Sequence, residues 1–420
     1  RVEPKCPVAR QCGGCQIQEM RYEAQLAFKQ KMVQNNLERI GGLSDFEMYP
    51  VIGMETPYAY RNKAQFPVGE DKDGNIVIGF YAGRTHHIVE QTDCCIGAPE
   101  NGEVLRKVKA YMQKNQIRPY NEEHHSGIVR HILIRTGYHT KEIMVCLIVN
   151  AAKASCLKNA QQLTESLREM DGMTSVMVNF NTEKTNVILG KKSEVLWGQP
   201  YIEDFIGDVK YQISPQSFFQ VNPHQTWKLY SKALEYADLH GEETVWDLYC
   251  GIGTISLFLA RQAKQVYGVE IVPQAIDDAR QNAVRNGIDN AKFYVGKAEE
   301  VLPHLYETEG IFADVIVVDP PRKGCDEECL NTILKMRPKR LVYVSCDSAT
   351  LARDLKYLCS QGYELKCGRA FDNFPMGGHV ETVVLLSQQK PDDTIEIDLD
   401  LDELDATSAE LKATYQEIKD

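Results

Sequence analysis

The sequence has no run of roughly 18 or more consecutive apolar residues, so it contains no candidate for a membrane-spanning helix. Near its start it also lacks the basic segment and the following apolar stretch of a secretory leader. Its 13 cysteines therefore fit the reduced thiols of a cytoplasmic protein without membrane contact better than a disulfide framework. The chain begins with Arg1 rather than Met, and we expect that an upstream segment has been removed.

An excess of positive charge is also missing, since 47 Lys and Arg residues are outnumbered by 59 Asp and Glu residues. The net charge of −12 argues against a general polyanion binder. The charge is uneven, because residues 391–420 hold 11 acidic residues and two lysines, which leaves −3 for the rest. The body of the chain is thus nearly neutral, and a local basic face is compatible with it.

What the sequence does have is ordinary globular composition, with 43% hydrophobic and 25% charged residues over 420 positions. Its patterns predict four segments. Residues 1–50 form a cysteine-rich loop followed by an amphipathic helix, and residues 51–212 form a β-rich central α/β segment. In residues 213–388 apolar strands alternate with helices, which predicts a parallel, doubly wound sheet. Residues 389–420 form an acidic tail.

A nucleotide-binding turn is predicted at DLYCGIG (247–253), between a strand and a helix. Gly251 and Gly253 permit a tight turn and a close approach of ligand. Glu270 ends the next strand, where an acidic residue accepts hydrogen bonds from ribose hydroxyls. Ser256 stands where the dinucleotide fingerprint has its third glycine, and this favours S-adenosylmethionine over a nicotinamide cofactor. The simpler alternative is an α/β turn that carries two glycines without a ligand.

Three further residues lie where apolar strands end or begin. Asp319 ends ADVIVVD, and the two prolines after it stiffen the turn. Cys346 follows LVYVS and precedes a helix, whose positive N-terminal end favours a thiolate. Glu381 opens the last strand, where partial burial would raise its pKa and suit it to accept a proton. Taken alone, each residue has a simpler interpretation. Asp319 would belong to a strand-ending turn, Cys346 would be a buried inert thiol, and Glu381 would be an exposed carboxylate.

Five motifs occur in order along the chain: QSFFQVN (216–222), DLYCGIG (247–253), DPPRKG (319–324), VSCD (344–347) and GGHVETV (377–383). With these motifs the sequence resembles the bacterial RNA uracil-5-methyltransferases, and in particular those that act on 23S ribosomal RNA. The likeness runs from Cys6 to about Ser387. It implies an α/β fold with a Rossmann-like, S-adenosylmethionine-dependent methyltransferase domain, a central α/β RNA-binding domain and an N-terminal iron–sulfur cysteine loop.

The resemblance also implies roles for single residues. Cys346 would be the nucleophile and Glu381 the proton acceptor. Such a thiolate is needed because carbon 5 of uracil becomes nucleophilic only after addition at carbon 6. A target base in a folded RNA must also be splayed out to reach the pocket. The residues expected against the cofactor or the target base are Phe218, Gln220, Tyr249, Gly251, Gly253, Glu270 and Asp319, with Phe218 stacking on the uracil.

The first segment contains the pattern C-x5-C-x2-C, formed by Cys6, Cys12 and Cys15 with two glycines inside the loop. Cys94 or Cys95 would have to supply a fourth thiolate. Four thiolates suit an iron–sulfur cluster or zinc, and free thiols are the third interpretation. The resemblance favours a [4Fe-4S] cluster with Cys94 as the fourth ligand. Because methyl transfer needs no electrons, we expect a structural rather than a redox role.

The resemblance makes 23S rRNA the expected partner of a monomeric enzyme. Many relatives carry a small β-barrel RNA-binding domain before the cysteine loop, and this sequence starts after the position of that domain. Basic side chains of the central segment are candidates for phosphate contacts, with solvated strand edges as the alternative for each. These candidates are Arg61, Lys63, His86, His87, Arg130, His131 and Arg135.

Three other functions stay open on the sequence alone. The first is the same chemistry on the T-loop uridine of transfer RNA, against which the cysteine loop argues, since the tRNA enzymes of this family typically lack the cluster. The second is a nicotinamide-dependent oxidoreductase, which would require dinucleotide binding. The third is a non-catalytic RNA-binding iron–sulfur protein, for which replacement of Cys346 would change no activity.

Overall fold

The computed structural model describes residues 1–389, so the predicted acidic tail lies outside the described residues except for its first residue. The chain starts with the cysteine loop, which contains no helix or long strand. Helix α1 (Tyr22–Arg39) and strand β1 (Glu47–Ile52) follow. The buried side chains of α1 recur about every four residues, at Gln25, Lys29, Val33 and Leu37, which is the spacing of one helix face.

The central segment forms a seven-stranded sheet in the order β4-β3-β2-β5-β6-β7-β8. Neighbouring strands run antiparallel except β6 and β7, which are parallel and are connected through a helix. Two helices cover one face of this sheet and share a hydrophobic core with it. The elements are β2 (Lys63–Glu70), β3 (Ile76–Tyr81), β4 (Ile88–Glu90), α2 (Asn101–Lys114), β5 (Val129–Thr136), β6 (Ile143–Val149), α3 (Ala160–Arg168), β7 (Met173–Phe180) and β8 (Lys192–Gly198).

A short hairpin then leads into the second large sheet, in which helices and strands alternate as the sequence predicts. The hairpin is β9 (Ile202–Ile206) and β10 (Val209–Ile213). The first part of the alternation is α4 (Pro223–Ala237), β11 (Thr244–Leu248), α5 (Thr254–Ala260), β12 (Gln265–Glu270), α6 (Pro273–Arg285), β13 (Ala291–Val295) and α7 (Ala298–Glu309). The second part is β14 (Val315–Val318), α8 (Glu327–Met336), β15 (Arg340–Ser345), α9 (Ser348–Ser360), β16 (Tyr363–Phe371) and β17 (Glu381–Gln388).

The second sheet has eight strands in the order β1-β16-β17-β15-β14-β11-β12-β13. Strands β11 to β15 are parallel, and β17 is inserted antiparallel between β15 and β16. The strand order reverses at β11, between β12 and β14. In an open parallel sheet, such a reversal marks the crevice where ligands bind, at the carboxyl ends of the strands.

The segment before residue 50 joins this second sheet instead of standing apart. Strand β1 pairs in parallel with β16, with Glu47 opposite Cys367. Helix α1 packs against α9, and its Val33 and Leu37 belong to the core under that face of the sheet. The sequence separates β1 from β16 by most of the chain, so local patterns do not reveal this pairing.

The two sheets share a core and do not form separate bodies. Leu133 and Met144 of the central sheet pack in one cluster with Phe219 and Leu229 from the second half of the chain. Residues 1–388 accordingly form one compact unit. No helix within residues 1–389 has the length and apolar character needed to cross a membrane.

Candidate active site

The turn after β11 has the backbone geometry that its glycines suggest. Gly251 and Gly253 have φ angles of 54° and 81°, in the left-handed region that favours glycine. A Cβ atom on Gly253 would lie 3.1 Å from the Phe293 ring of β13 and 3.2 Å from Cβ of Ala279 in α6, so this glycine lets both elements pack closely against the turn. A Cβ on Gly251 would meet no atom within 4 Å. The first glycine therefore faces open space in which a ligand can approach the backbone.

Acidic groups border this open space. Glu270 is fixed at the end of β12, because its carboxylate accepts from the backbone N–H groups of Gly251 at 3.3 Å and Val272 at 3.0 Å. Asp247 is buried and accepts from the Ser256 hydroxyl, while its Oδ1 has no partner among the described residues. Burial raises the pKa of Asp247 to about 7. The fixed Glu270 and the open glycine fit a nucleoside cofactor.

Cys346, Glu381 and Asp319 meet at the same edge of the sheet. Cys346 directly follows β15, and Glu381 is the first residue of β17. These strands are neighbours with Ser345 paired to Thr382, so the thiol and the carboxylate project from adjacent positions. Asp319 follows β14, which pairs with the other side of β15. The folded chain thus gathers three predicted site residues beside the glycine turn.

Burial and neighbouring negative charges raise the pKa values of the acidic groups at this edge. The Glu381 side chain is 3% exposed, and burial together with Asp319 raises its pKa to about 8, against an opposing effect of Arg322. Burial also raises the pKa of Asp319 to about 7. The pKa of Cys346 rises to about 11 through burial and the charges of Glu381 and Asp319, again opposed by Arg322. The predicted rise in the pKa of Glu381 is confirmed.

The predicted effect of the helix end on Cys346 is wrong for the resting site. Helix α9 does begin at Ser348, two residues after the thiol. However, the carboxylate of its N-cap residue Asp347 accepts from the backbone N–H groups of Ala349 and Thr350. The N-terminal donors of the helix are therefore occupied by a negative side chain. The thiol is protonated at neutral pH, so deprotonation must accompany its addition to a substrate.

The buried Glu381 predicts a pH-dependent gain in stability for Glu381→Gln. A raised pKa in the folded state stabilises the fold below the ordinary value of 4.5, and this contribution is lost as pH rises to about 8. The glutamine side chain does not titrate, so the variant does not lose this contribution to its free energy of unfolding. It should exceed the wild type in free energy of unfolding by on the order of 5 kcal/mol above the folded pKa, relative to acid conditions. Denaturant titrations across the range test this, with exposed Glu183→Gln as the control; parallel curves for wild type and Glu381→Gln would contradict it.

The loop between β10 and α4 presents the first motif to the site. Phe219 is buried against Tyr211, whereas its neighbour Phe218 is 69% exposed. The backbone oxygen of Gln220 accepts from the Asn62 side chain at 3.0 Å, which ties this loop to the central sheet. The exposed ring of Phe218 is thus available to a base, and its stacking role stays a prediction.

Two of the predicted phosphate-binding residues instead bind backbone carbonyl groups of the protein, and a third is buried. Arg130 is buried and donates to the carbonyl oxygens of Asn181 and Glu183. Arg135 is buried and donates to carbonyl oxygens of the loop that carries Phe218. Burial and the charge of Arg130 lower the pKa of His131 to about 4, so this ring is neutral. The sequence showed basic residues on strands, but not the distant loops that cover them.

The remaining four candidates divide between two places. His86 and His87 are exposed, and His86 contacts the carboxylate of Glu122 at 2.6 Å. Arg61 and Lys63 are partly buried and line a cavity together with cysteines.

Arg322 is the functional residue that the sequence reasoning did not single out. It lies in the motif DPPRKG, and its charge counteracts the raised pKa of both Glu381 and Cys346. Its Nη2 atom lies 3.4 Å from Nε2 of His379. The sequence signal for Arg322 is a basic residue directly after the two prolines that follow Asp319. Its position suits it to offset negative charge at this edge.

The cysteine loop folds against the residues around Cys94. One cavity of about 390 Å³ is lined by Cys6, Cys12, Cys15, Cys94 and Cys95. Gln91 and Gln18 donate to the sulfur atoms of Cys6 and Cys95, respectively. Within residues 1–389, however, no three Cys, His, Asp or Glu side chains stand in an arrangement ready to hold a metal ion. The thiols share a cavity, and their chemistry suits a metal cluster, but their present arrangement is not that of a coordinated ion.

Comparisons with known proteins agree with the geometry. An uncharacterized RNA methyltransferase of Halalkalibacterium halodurans is 54% identical over 387 residues, which cover 92% of this chain and 83% of the relative. One from Bacillus cereus is 52% identical and covers 92% and 84%. The crystal structure of the Pyrococcus abyssi tRNA (uracil-54, C5)-methyltransferase in complex with S-adenosyl-L-homocysteine has a TM-score of 0.72 and 29% identity, covering 89% of this chain and 85% of that one.

The family comparison covers most of the chain. Residues 21–389 match the model described as tRNA (uracil-5-)-methyltransferase. The mixed α/β architecture is accordingly a methyltransferase fold, as the motifs implied. The chain belongs to the tRNA (uracil-5-)-methyltransferase family and is an RNA methyltransferase of the uracil-5 class.

Proposed function

We propose that this protein methylates carbon 5 of a uridine in 23S rRNA, using S-adenosylmethionine and a covalent bond between Cys346 and the uracil. The observation that carries the proposal is the meeting of Cys346 and Glu381 on adjacent strands beside the open turn at Gly251. A nucleophile, a base and a nucleoside-sized opening at one sheet edge are the parts that this reaction requires.

The proposed reaction follows from the positions of these side chains. After losing its proton to solvent, the Cys346 sulfur bonds to carbon 6, and the electrons of the carbon 5–carbon 6 double bond form an enolate. S-adenosylmethionine supplies an electrophilic methyl group on a sulfonium. Once carbon 5 carries this methyl, Glu381 in its ionised carboxylate form takes the remaining carbon-5 proton. The electrons of that C–H bond restore the double bond and release the Cys346 thiolate.

Arg322 and the loop at Phe218 complete the proposed site. The charge of Arg322 lowers the pKa of both Cys346 and Glu381, so it would offset negative charge on either group. The exposed Phe218 ring would receive a base that has left its stack. Glu270 and Gly251 would hold the ribose side of the cofactor, near Tyr249 and Gln220. We also propose that the enzyme is monomeric and cytoplasmic.

Ribosomal RNA is the favoured substrate because of the cysteine loop. The loop lies in the same folded unit as the site, and the 23S rRNA methyltransferases that the sequence resembles carry such a loop. Transfer RNA is the second candidate, because the similar Pyrococcus abyssi structure is of a tRNA methyltransferase. To distinguish the two substrates, 23S rRNA and tRNA are isolated from cells that lack the enzyme, and each is incubated with the protein and labelled S-adenosylmethionine. We expect 5-methyluridine in 23S rRNA fragments only; label in tRNA alone would overturn the substrate, and label in neither would overturn the function.

We also propose that Cys6, Cys12, Cys15 and Cys94 hold a [4Fe-4S] cluster. The support is the convergence of these thiols on one cavity, and iron–sulfur clusters use four cysteine thiolates. Arg61 and Lys63 line the same cavity and would offset the negative charge of a thiolate set. Zinc on the same four thiolates is the alternative, and iron and sulfide content distinguishes the two.

The adjacent thiols Cys94 and Cys95 provide a matched pair of variants. We expect Cys94→Ala to abolish retention of the cluster, because a ligand is removed, and Cys95→Ala to retain it. The measurement is iron and acid-labile sulfide per protein after anaerobic purification. If the Cys95 variant loses the cluster and the Cys94 variant retains it, Cys95 is the fourth ligand. If the wild type contains zinc and no iron, the site holds zinc instead of an iron–sulfur cluster.

A further inference from the structure

The loop that delivers Glu381 contains a strained residue. Residues 372–380, here called the base loop, connect β16 to β17 and end directly before Glu381. Within it Met376 has a φ of 67°, in the left-handed region that residues other than glycine rarely adopt. Such a conformation persists only where the surroundings hold it. The contacts of the base loop therefore determine the position of Glu381.

At Met376 and Gly378, the contacts of the base loop come from the N-terminal part of the chain. The backbone N–H of Met376 donates to Gln25 Oε1 at 3.0 Å, and its carbonyl oxygen accepts from the Ile17 N–H at 3.1 Å. Two residues further on, the Gly378 N–H donates to Gln16 Oε1 at 3.2 Å. Gln16 and Ile17 directly follow Cys15, so the cysteine loop itself binds the base loop.

The side chain of Met376 strengthens this connection. It is 3% exposed and packs with Tyr60 and Ile96 in a small core that Cys15 and Cys94 also contact. The Tyr60 hydroxyl donates to the carbonyl oxygen of Pro375 at 3.0 Å. The walls of the cysteine cavity and the base loop thus share one core. This arrangement gives the cysteine loop a mechanical link to the base.

We propose that Gln16 is a positioning residue, which holds the base loop so that Glu381 reaches the carbon-5 proton. The inference rests on the proposed function, in which Glu381 is the base. It assigns the cysteine loop a part in one step of catalysis, the proton removal that releases Cys346. Addition of Cys346 to the uracil should depend on it much less, since Cys346 follows β15 and lies outside the base loop.

Gln16 suits a test because it is exposed and outside the hydrophobic cores. Its Oε1 binds Gly378, and its Nε2 donates to the Gly13 carbonyl. Gln16→Ala removes both bonds, while Gln16→Glu keeps an acceptor for Gly378. Gln11→Ala is the matched control, since Gln11 is exposed on the same loop and its side chain has no hydrogen bond within residues 1–389.

The experiment follows a single turnover of the anaerobically purified holoprotein on an RNA that the wild type methylates. The covalent adduct is quantified on denaturing gels with time, using uridine that carries hydrogen or deuterium at carbon 5. We expect Gln16→Ala to form adduct at the wild-type rate and to resolve it about 3- to 10-fold more slowly, as the loss of one hydrogen bond allows. Its deuterium isotope effect on adduct decay should increase. Gln16→Glu should restore the decay, and Gln11→Ala should match the wild type.

Two results overturn the inference. One is wild-type decay with an unchanged isotope effect in Gln16→Ala. The other is equal slowing of adduct formation and decay, or loss of iron, since these mark a general structural defect. Failure of the proposed function is distinguishable, because the wild type itself would then form no 5-methyluridine.

Discussion

Glu381→Gln is expected to stop the reaction with methylated RNA still bonded to Cys346. The glutamine amide cannot accept the carbon-5 proton, so the double bond cannot re-form and the thiolate cannot leave. Loss of a general base lowers turnover by about 10²- to 10⁴-fold. Adduct formation should persist, because removing the Glu381 charge removes one cause of the raised pKa of Cys346. Denaturing gels of unmodified substrate RNA, followed by mass spectrometry of the shifted band, measure both effects.

Glu183→Gln, at an exposed carboxylate, is the control for this experiment and should release its RNA normally. A Glu381→Gln protein that also releases 5-methyluridine at the wild-type rate would assign the base to another group. Asp319 would then be the first alternative, because it lies at the same edge and its pKa is also raised. A variant that forms no adduct would instead place Glu381 before the addition step.

Cys346→Ala is expected to lower methylation by about 10⁴-fold or more, because it removes the thiol that adds to carbon 6 and leaves again. Cofactor affinity should change little, since the Gly251 turn and Glu270 belong to other strands. Equilibrium binding of S-adenosylmethionine and methylation of RNA are the paired measurements. Cys359→Ala, which removes a partly buried thiol from α9, should remain active. Residual activity within tenfold of the wild type would contradict a covalent mechanism.

The site residues were predictable because parallel strands impose a simple rule. Chain segments that leave the carboxyl ends of β11, β12, β14 and β15 must emerge at one edge. The residues after these strands therefore meet, and the apolar runs before Asp319 and Cys346 were readable from the sequence. Glu381 joins them because β17 runs antiparallel beside β15, so that its start lies at the same edge.

Contacts between distant segments were not predictable in the same way. Arg130 and Arg135 are basic residues at strand positions. Their side chains are buried because they donate to backbone carbonyl groups more than 50 residues later in the chain. The pKa of Cys346 depends on Glu381, Asp319 and Arg322, which come from separate elements. The pairing of β1 with β16 likewise needs the whole sheet to form first. Local pattern carries none of this information.

The covalent step is the central claim, and one trapping experiment tests it most directly. The holoprotein is incubated with S-adenosylmethionine and a 23S rRNA fragment that contains 5-fluorouridine, with a fluorinated tRNA in parallel. Because Glu381 cannot remove fluorine as a proton, the adduct should persist through denaturation. We predict a methylated RNA–protein adduct on the rRNA fragment that maps to the Cys346 peptide and is absent from Cys346→Ala. Absence of an adduct on both RNAs would contradict the covalent mechanism.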